Sequence, residues 1–220
     1  MTCNGSSYWL KTNLAIKVQL ICQLLFVGIS MNLCHVFDLY TALHLLHLLK
    51  RITMDNQSNL ILNKKQVARI ISRIAYEIYE NNFKEKELVI AGINGQGFIL
   101  GKMLSKELKK ISPIDVSLVE VMVNKEKPSE SEIWIDCDVK MLHKKNIILT
   151  DDVLSSGQTM AYSLKPFLQA EIKKLETVVL INRSHKKFPI SANYKGYELS
   201  TTINEHVEVN LKNQQEVYLK

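Results

Sequence analysis

The spacing of hydrophobic and polar positions changes several times after residue 60, and each change predicts a secondary-structure element. The first is an amphipathic helix that begins after Asn63, a favourable N-cap residue. Its apolar side chains recur every three or four positions, as on one face of a helix: Val67, Ile70, Ile71, Ile74, Ala75 and Ile78. The same spacing predicts a second helix from Leu100, Met103, Leu104 and Leu108.

Short apolar runs between the helices predict strands. They cover residues 87–93, 114–123, 133–139, 147–149 and 176–182. Strands that alternate with helices form parallel sheets with right-handed crossovers, so we expect an α/β fold with a mainly parallel twisted sheet flanked by helices. Near the C-terminus an antiparallel edge strand is predicted from the alternation of Val207, Val209 and Leu211.

Residues 1–53 differ in character from residues 54–220, so we divide the chain into an apolar N-terminal extension and one functional domain. Three interpretations of the extension are open: a signal sequence or membrane anchor, an amphipathic helix for a partner, or an upstream stretch that is not normally translated. The third is favoured, because Lys17 interrupts the apolar run and the composition changes abruptly at Met54. Membrane attachment is therefore expected only if the extension is part of the protein.

Composition narrows the function classes. The 220 residues carry a formal net charge of +6, with 46% hydrophobic and 23% charged residues, which fits one globular domain plus an appendage. The four cysteines form no CxxC pair, so we expect neither a zinc site nor a disulfide framework, and a reduced cytoplasmic location is the default. A mildly basic chain suits phosphorylated ligands and permits RNA binding without demonstrating it.

Candidate chemistry is concentrated in residues 146–160, NIILTDDVLSSGQTM. After an apolar strand come the acidic pair Asp151 and Asp152, a loop of small residues, and a helix predicted from Met160, Leu164, Phe167 and Leu168. A loop that leads into a helix presents backbone N–H groups to an anion, and two carboxylates can hold sugar hydroxyls or hydrated Mg²⁺. Together these features describe a site for a ribose 5-phosphate. An ordinary turn capped by Ser155 or Ser156 is the alternative, and it leaves the acids, the glycine and the threonine unexplained.

This stretch resembles the 5-phosphoribosyl 1-diphosphate (PRPP) signature of type I phosphoribosyltransferases. The resemblance implies that Asp151 and Asp152 contact the ribose 2′ and 3′ hydroxyls, act as the catalytic carboxylates and hold Mg²⁺, directly or through water. It also implies that a loop wraps the 5′-phosphate, and this loop consists of Ser155, Ser156, Gly157, Gln158 and Thr159. The sequence contains no GxxxxGK[ST] motif, which disfavours a P-loop NTPase.

The similarity extends over about residues 60–211, which resemble the pyrimidine-operon regulatory proteins that double as uracil phosphoribosyltransferases. In that family one turn binds the diphosphate, and here it corresponds to Asn94, Gly95 and Gln96. A small hood lies on the base side of the sheet, where the resemblance implies the base-binding residues Asn182, Arg183 and His185. A solvated loop with a surface histidine is the alternative for this segment. Asn182 and Ser184 stand where the family has Asp and Gly, so PRPP is better supported than uracil.

Two further departures bear on catalysis. Gln96 stands where the family carries an arginine, and an amide cannot replace a bidentate guanidinium contact to diphosphate. Residues 124–132 are shorter than the family's mobile loop, which offers tyrosine and arginine over the site. Lys125 and Lys127 are the candidates to supply a substitute positive charge.

Two functions follow from the resemblance. The first is an enzyme that transfers the phosphoribosyl group of PRPP to a nucleobase, uracil being favoured, releases diphosphate, uses Mg²⁺ and has a pyrimidine regulatory role. The second is a non-catalytic sensor of PRPP or nucleotide that binds RNA, although the sequence carries no RNA-binding module signature. A homo-oligomer is expected in either case, since dimers are common in the resembling family.

Overall fold

The computed structural model describes residues 59–183, 185–201 and 205–220. The predicted boundary between residues 53 and 54, and every interpretation of the N-terminal extension, lie outside these residues. Within the described part of the chain, no helix combines the length and the apolar character needed to cross a bilayer.

Strand β1 (Asn59–Leu62) and helix α1 (Lys64–Asn82) come first in the described chain. The helix begins where predicted because Asn63 caps it: the Gln66 N–H donates to Asn63 Oδ1 at 3.0 Å, and the Asn63 N–H donates to Gln66 Oε1 at 2.9 Å. This reciprocal capping box satisfies backbone donors that have no partner inside the helix. Most of the predicted core positions of α1 are buried, namely Val67, Ile71, Ile74, Ala75 and Ile78.

The main sheet has six strands. In chain order they are β2 (Glu87–Ile93), β3 (Asp115–Met122), β4 (Trp134–Ile135), β5 (Asn146–Leu154), β6 (Lys174–Arg183) and β7 (Tyr194–Leu199). Their spatial order is β4-β3-β2-β5-β6-β7, and all neighbours are parallel except β4 against β3. This arrangement confirms the predicted α/β fold class. It also places β5, which carries the acidic pair, between β2 and β6 in the middle of the sheet.

Helices lie on both faces of this sheet. Helix α2 (Gln96–Ile111) packs with α1 on one face, where Ile90 and Leu104 belong to the same buried cluster. A second cluster, which includes Leu149 and Phe167, fills the other face. That face is covered by a 3-10 turn and two short helices: Val139–Leu142, α3 (Gln158–Ser163) and α4 (Lys165–Leu168). Burial on both faces explains why β2, and β5 from Ile147 to Leu149, are apolar runs.

A separate three-stranded antiparallel sheet contains β1, β9 (Glu216–Leu219) and β8 (Val207–Asn210), in that order. We call residues 59–62 and 205–220, which contain these three strands, the hood. The predicted antiparallel edge strand is confirmed as β8, which lies at the edge of the hood. Strands β1, β7 and β9 were not predicted, because they are short and, unlike β8, show no regular alternation of buried and exposed positions.

Two predicted elements were wrong in extent. The strand expected over residues 133–139 is only two residues long, and Trp134 and Val139 within that segment are about half exposed. The single helix expected after the acidic motif is divided into α3 and α4. Pro166 lies in the first turn of α4, where its missing N–H is tolerated but cannot continue the preceding helix. As a result, Leu168 is 73% exposed and does not belong to the core.

Candidate functional site

The acidic pair lies within strand β5, which continues to Leu154 instead of ending before the two acids. Asp151 is paired in register with Val179 of β6. The side chain of Asp151 is 6% exposed and that of Asp152 is 18% exposed. Both therefore lie near the carboxyl edge of the sheet, where ligands bind in parallel α/β folds.

A lysine from the loop after β3 contacts both acids. Lys125 Nζ donates to Asp151 Oδ1 at 3.0 Å and to Asp152 Oδ1 at 3.4 Å. Of the two lysines predicted as substitute charges, the structure brings only this one to the acids. Lys127 forms an exposed ion pair with Glu130 instead.

The pKa values of Asp151 and Lys125 are shifted by burial and by the charges of the neighbouring side chains. Burial and the neighbouring charge of Asp152 raise the pKa of Asp151 from 3.8 to about 7, and Lys125 opposes that rise. Burial by itself lowers the pKa of Lys125, but the charges of Asp151 and Asp152 outweigh it, so the net shift is upward. The lysine is therefore charged at neutral pH, while the charge of Asp151 is sensitive to its surroundings.

The predicted phosphate loop joins β5 to α3. Gly157 has φ of 81°, in the left-handed region that favours glycine, and it is the residue from which α3 begins. The Ser156 carbonyl accepts the N–H groups of Lys187 at 2.9 Å and Phe188 at 3.0 Å, so the loop is held by the segment after β6. Within the described residues, the hydroxyls of Ser155 and Thr159 have no hydrogen-bond partner. Both remain available to a ligand.

The predicted diphosphate turn joins β2 to α2 beside the acids. Asn94 anchors it: the Asn94 N–H donates to the Val121 carbonyl at 2.9 Å, and Asn94 Oδ1 accepts the Val123 N–H at 3.3 Å. A Cβ atom added at Gly97 would lie 3.0 Å from Asp151 Oδ1 and 2.9 Å from the Thr150 carbonyl oxygen. Gly97 therefore permits this turn to pack directly on the acidic pair. Sequence reasoning missed Gly97, although its place in the NGQG turn was a usable signal.

Gln96 is already engaged with the hood. The Leu211 N–H, just after β8, donates to Gln96 Oε1 at 3.0 Å. Gly95 before it has φ of 85°, and a Cβ atom there would have nothing within 4 Å, so the turn is open on that side. The residue that departs from the family's arginine thus links the diphosphate turn to the hood.

The base-side residues do not form an open polar surface. Arg183 is 7% exposed and donates to Thr201 Oγ1 from Nε at 3.0 Å and from Nη2 at 2.8 Å. Its Nη2 also donates to the Glu205 carbonyl at 2.9 Å. His185 Nε2 lies 2.7 Å from the Thr201 carbonyl oxygen. Both side chains therefore hold the segment that leads into the hood.

Asn182 differs from these two residues. Its Nδ2 donates to Glu198 Oε1 of β7 at 3.0 Å, while its buried Oδ1 has no hydrogen-bond partner in the described part of the chain. A buried acceptor without a donor is costly, about 1–3 kcal/mol. Asn182 is therefore a base-side residue that keeps a buried acceptor without a donor among the described residues. Ser184, which stands where the family has glycine, lies outside the described residues.

The structure brings the two acids, the phosphate loop and the diphosphate turn together at the carboxyl ends of β2 and β5. It does not bring Arg183 or His185 to that point as free side chains. Among the described residues, no group of three or more His, Cys, Asp or Glu could hold a metal ion by itself.

Comparison with known proteins identifies the family. A family model described as "Phosphoribosyl transferase domain" matches residues 57–214. "Bifunctional protein PyrR" of Fusobacterium nucleatum subsp. nucleatum is 30% identical over 166 residues, covering 72% of this chain and 94% of the relative. The protein of the same name from Clostridium beijerinckii is 32% identical over 161 residues, covering 70% and 90%. This chain belongs to the phosphoribosyltransferase family.

Solved phosphoribosyltransferases share its fold. The hypoxanthine phosphoribosyltransferase of Trypanosoma cruzi has a TM-score of 0.63 at 15% identity and covers 73% of this chain and 95% of that one. A hypoxanthine phosphoribosyltransferase from Staphylococcus aureus has a TM-score of 0.61 at 18% identity, covering 77% and 95%. The predicted type I phosphoribosyltransferase fold is confirmed, as is the resemblance to the PyrR proteins.

Proposed function

We propose that this phosphoribosyltransferase transfers the 5-phosphoribosyl group of PRPP to a nucleobase and releases diphosphate. The supporting observation is the assembly of an acidic pair, a small-residue loop and a glycine-containing turn at adjacent carboxyl ends of β2 and β5. Each part matches one charged or polar portion of PRPP. The proposed domain for this activity is residues 54–220.

The substrate is placed by its chemistry. The ribose diol lies on Asp151 and Asp152, because carboxylates accept hydrogen bonds from hydroxyls. The 5′-phosphate lies in residues 155–159, where the hydroxyls of Ser155 and Thr159 have no hydrogen-bond partner among the residues that the structure describes. The diphosphate lies over the turn at residues 94–96, whose backbone is open above Gly95.

The acidic pair also suits Mg²⁺. Two carboxylates supply hard oxygen ligands, and Mg²⁺ is commonly bound by one or two carboxylates together with water and substrate phosphates. Asp151 and Asp152 would hold it, directly or through water. A bound Mg²⁺ would neutralise part of the negative charge on the diphosphate.

The protein's part in the reaction is positioning and charge stabilisation. The bond between C1 and the diphosphate breaks as the ribose gains oxocarbenium character, and a base nitrogen attacks C1 and gives up its proton to water. The carboxylates of Asp151 and Asp152 hold the sugar and stabilise its developing positive charge. No protein nucleophile is required, and the buried strand β5 keeps the two acids fixed.

Uracil is the proposed acceptor base. The support is the similarity to proteins named bifunctional PyrR, and the unpaired Oδ1 of Asn182, which is a natural acceptor for an N–H donor. The backbone between Asn182 and His185 is the proposed contact surface for the base edge. A pyrimidine regulatory role, a homo-oligomeric state and a cytoplasmic location are proposed on the same family basis.

Diphosphate release tests the proposal. The full chain is incubated with PRPP and Mg²⁺ and with uracil, cytosine, hypoxanthine or guanine in turn. Release with uracil alone supports the uracil assignment, and release with a different base moves the assignment to that base. The Asp152→Asn variant is the matched control for release that depends on the acidic pair.

A non-catalytic sensor of PRPP or nucleotide is the second candidate. The observation that favours it is Gln96, which stands in place of an arginine and is bonded to the hood at Leu211. A sensor of this kind binds PRPP in calorimetry but releases no diphosphate with any base. RNA is its proposed partner on the basis of family similarity alone.

A further inference from the structure

Lys125 lies where a cation shared by the two acids would be bound. Its Nζ is 3.0 Å from Asp151 Oδ1 and 3.4 Å from Asp152 Oδ1. Both ion pairs that the described residues form with these acids involve this one ammonium. Two adjacent carboxylates repel each other in a partly buried site, and a single cation between them removes that repulsion.

The loop holds Lys125 in this position. Asn124 Oδ1 accepts the N–H groups of Glu126 at 3.0 Å and Lys127 at 3.2 Å, which fixes the backbone on either side of Lys125. Lys127, two residues later, pairs with Glu130 and does not reach the acids. The loop thus directs one of its two lysines to the acidic pair and the other to the surface.

The contact can open without disturbing the core. The Lys125 side chain is 38% exposed, whereas that of Asp151 is 6% exposed and fixed within a central strand. A flexible lysine on an exposed loop can withdraw into solvent, but the acids cannot follow it.

We propose that Lys125 is a tethered counter-ion at the cation position of Asp151 and Asp152, so that a divalent cation binds there only by displacing it. This inference rests on the proposed function for the identity of the acidic pair. Because PRPP brings oxygen ligands of its own, it favours the exchange. The protein alone therefore binds divalent cations weakly, and the protein with PRPP binds them well.

Mn²⁺ binding to the full chain without PRPP tests this proposal, with free Mn²⁺ followed by electron paramagnetic resonance. We expect Lys125→Met to bind Mn²⁺ roughly tenfold more tightly than the wild type, since a competing charge is removed. Lys125→Arg keeps the charge and should bind as weakly as the wild type. Lys127→Met removes an equal charge from the same loop and should change the affinity less than about twofold.

The outcomes separate this inference from the proposed function. Equal Mn²⁺ affinity in Lys125→Met and the wild type, or an equal gain in Lys127→Met, overturns the counter-ion role. If calorimetry then shows PRPP binding to the wild type, only the role of Lys125 has failed. A tenfold gain in Lys125→Met with no PRPP binding supports the counter-ion role and overturns the assignment of PRPP as the substrate.

Discussion

The sugar-phosphate side and the base side of the candidate site are built in different ways. On the sugar-phosphate side, residues 151–159 supply the acids, the hydroxyls and the turn, and several of their polar atoms have no protein partner in the described chain. On the base side, Arg183 and His185 are engaged in holding the segment at Thr201. Unused hydroxyl groups mark the first side as a ligand site, whereas on the second side Arg183 and His185 serve structure and Asn182 Oδ1 is the buried acceptor left without a donor in the described chain.

The two sides are nevertheless connected. The Ser156 carbonyl accepts N–H groups from Lys187 and Phe188, which follow β6 on the base side. Gln96 connects the diphosphate turn to the hood at Leu211. The comparison therefore predicts that some substitutions will affect only one side, while those at the connections will affect both.

Gly157→Val should have the largest effect, and on the sugar-phosphate side. A β-branched residue is strained at φ of 81°, and its side chain enters the loop proposed to hold phosphate. We expect PRPP affinity measured by calorimetry to fall at least about 100-fold. Gly157→Ala has most of the same backbone strain but a smaller side chain, so its PRPP affinity should fall less. Retained PRPP binding in Gly157→Val would contradict the phosphate assignment.

Arg183→Met, on the base side, should lower the stability of the protein. It removes a buried guanidinium and leaves Thr201 Oγ1 and the Glu205 carbonyl without this donor. We expect the free energy of unfolding to fall by about 2–3 kcal/mol in a urea titration. Arg69→Met, on the exposed face of α1, should change it by less than about 0.5 kcal/mol. If Arg183→Met also lowers the PRPP affinity at 10 °C, where the variant is folded, the base side and the sugar-phosphate side do not act independently.

Asp152→Asn should weaken PRPP binding without unfolding the domain. The variant keeps the shape of the side chain but loses the charge that attracts Mg²⁺ and the diol. We expect a roughly 10- to 30-fold loss of PRPP affinity with Mg²⁺ present and an unchanged melting temperature. Glu130→Gln, an exposed acid in the neighbouring loop, serves as the control. Unchanged affinity in Asp152→Asn would remove the diol role.

The raised pKa of Asp151 predicts a pH-dependent stability. Its value of about 7 in the folded protein lies above the ordinary value of 3.8, so folding binds a proton between these two values. The resulting stabilisation is complete below about pH 4 and is lost as the pH rises through 7. Melting temperatures from pH 5 to 8 should therefore fall more steeply for the wild type than for Asp151→Asn. If the melting temperatures of the two proteins changed in parallel with pH, Asp151 would not be the source of the pH dependence.

Gln96→Arg tests the connection between the two sides and should have the smallest effect. The substitution removes the acceptor for the Leu211 N–H, at a cost of about 1 kcal/mol, and adds a guanidinium beside the proposed diphosphate. A rise in the rate of diphosphate release is the expected result. Gln96→Ala loses the same acceptor without adding charge and should not show the rise. Equal rates in both variants would place position 96 away from the diphosphate.

The strongest sequence signals came from elements whose contacts are local. Helix α1 was predicted with its cap because apolar spacing and the Asn63 side chain are both encoded within a few residues. The same was true of the acidic motif, where strand, loop and turn are contiguous. The later helix is shorter than predicted, because its apolar spacing continues past Pro166, where the helix is interrupted.

The sequence by itself determined the α/β class, the acidic pair and the loop after it, since periodicity and short motifs record local geometry. Only the tertiary structure decided which residues meet across the chain. In the folded protein Lys125, and not Lys127, contacts the acids. Gln96 and Arg183 form hydrogen bonds with the hood. These contacts join segments separated by up to 115 residues. Each is worth about 1–3 kcal/mol and leaves no periodic pattern in the sequence.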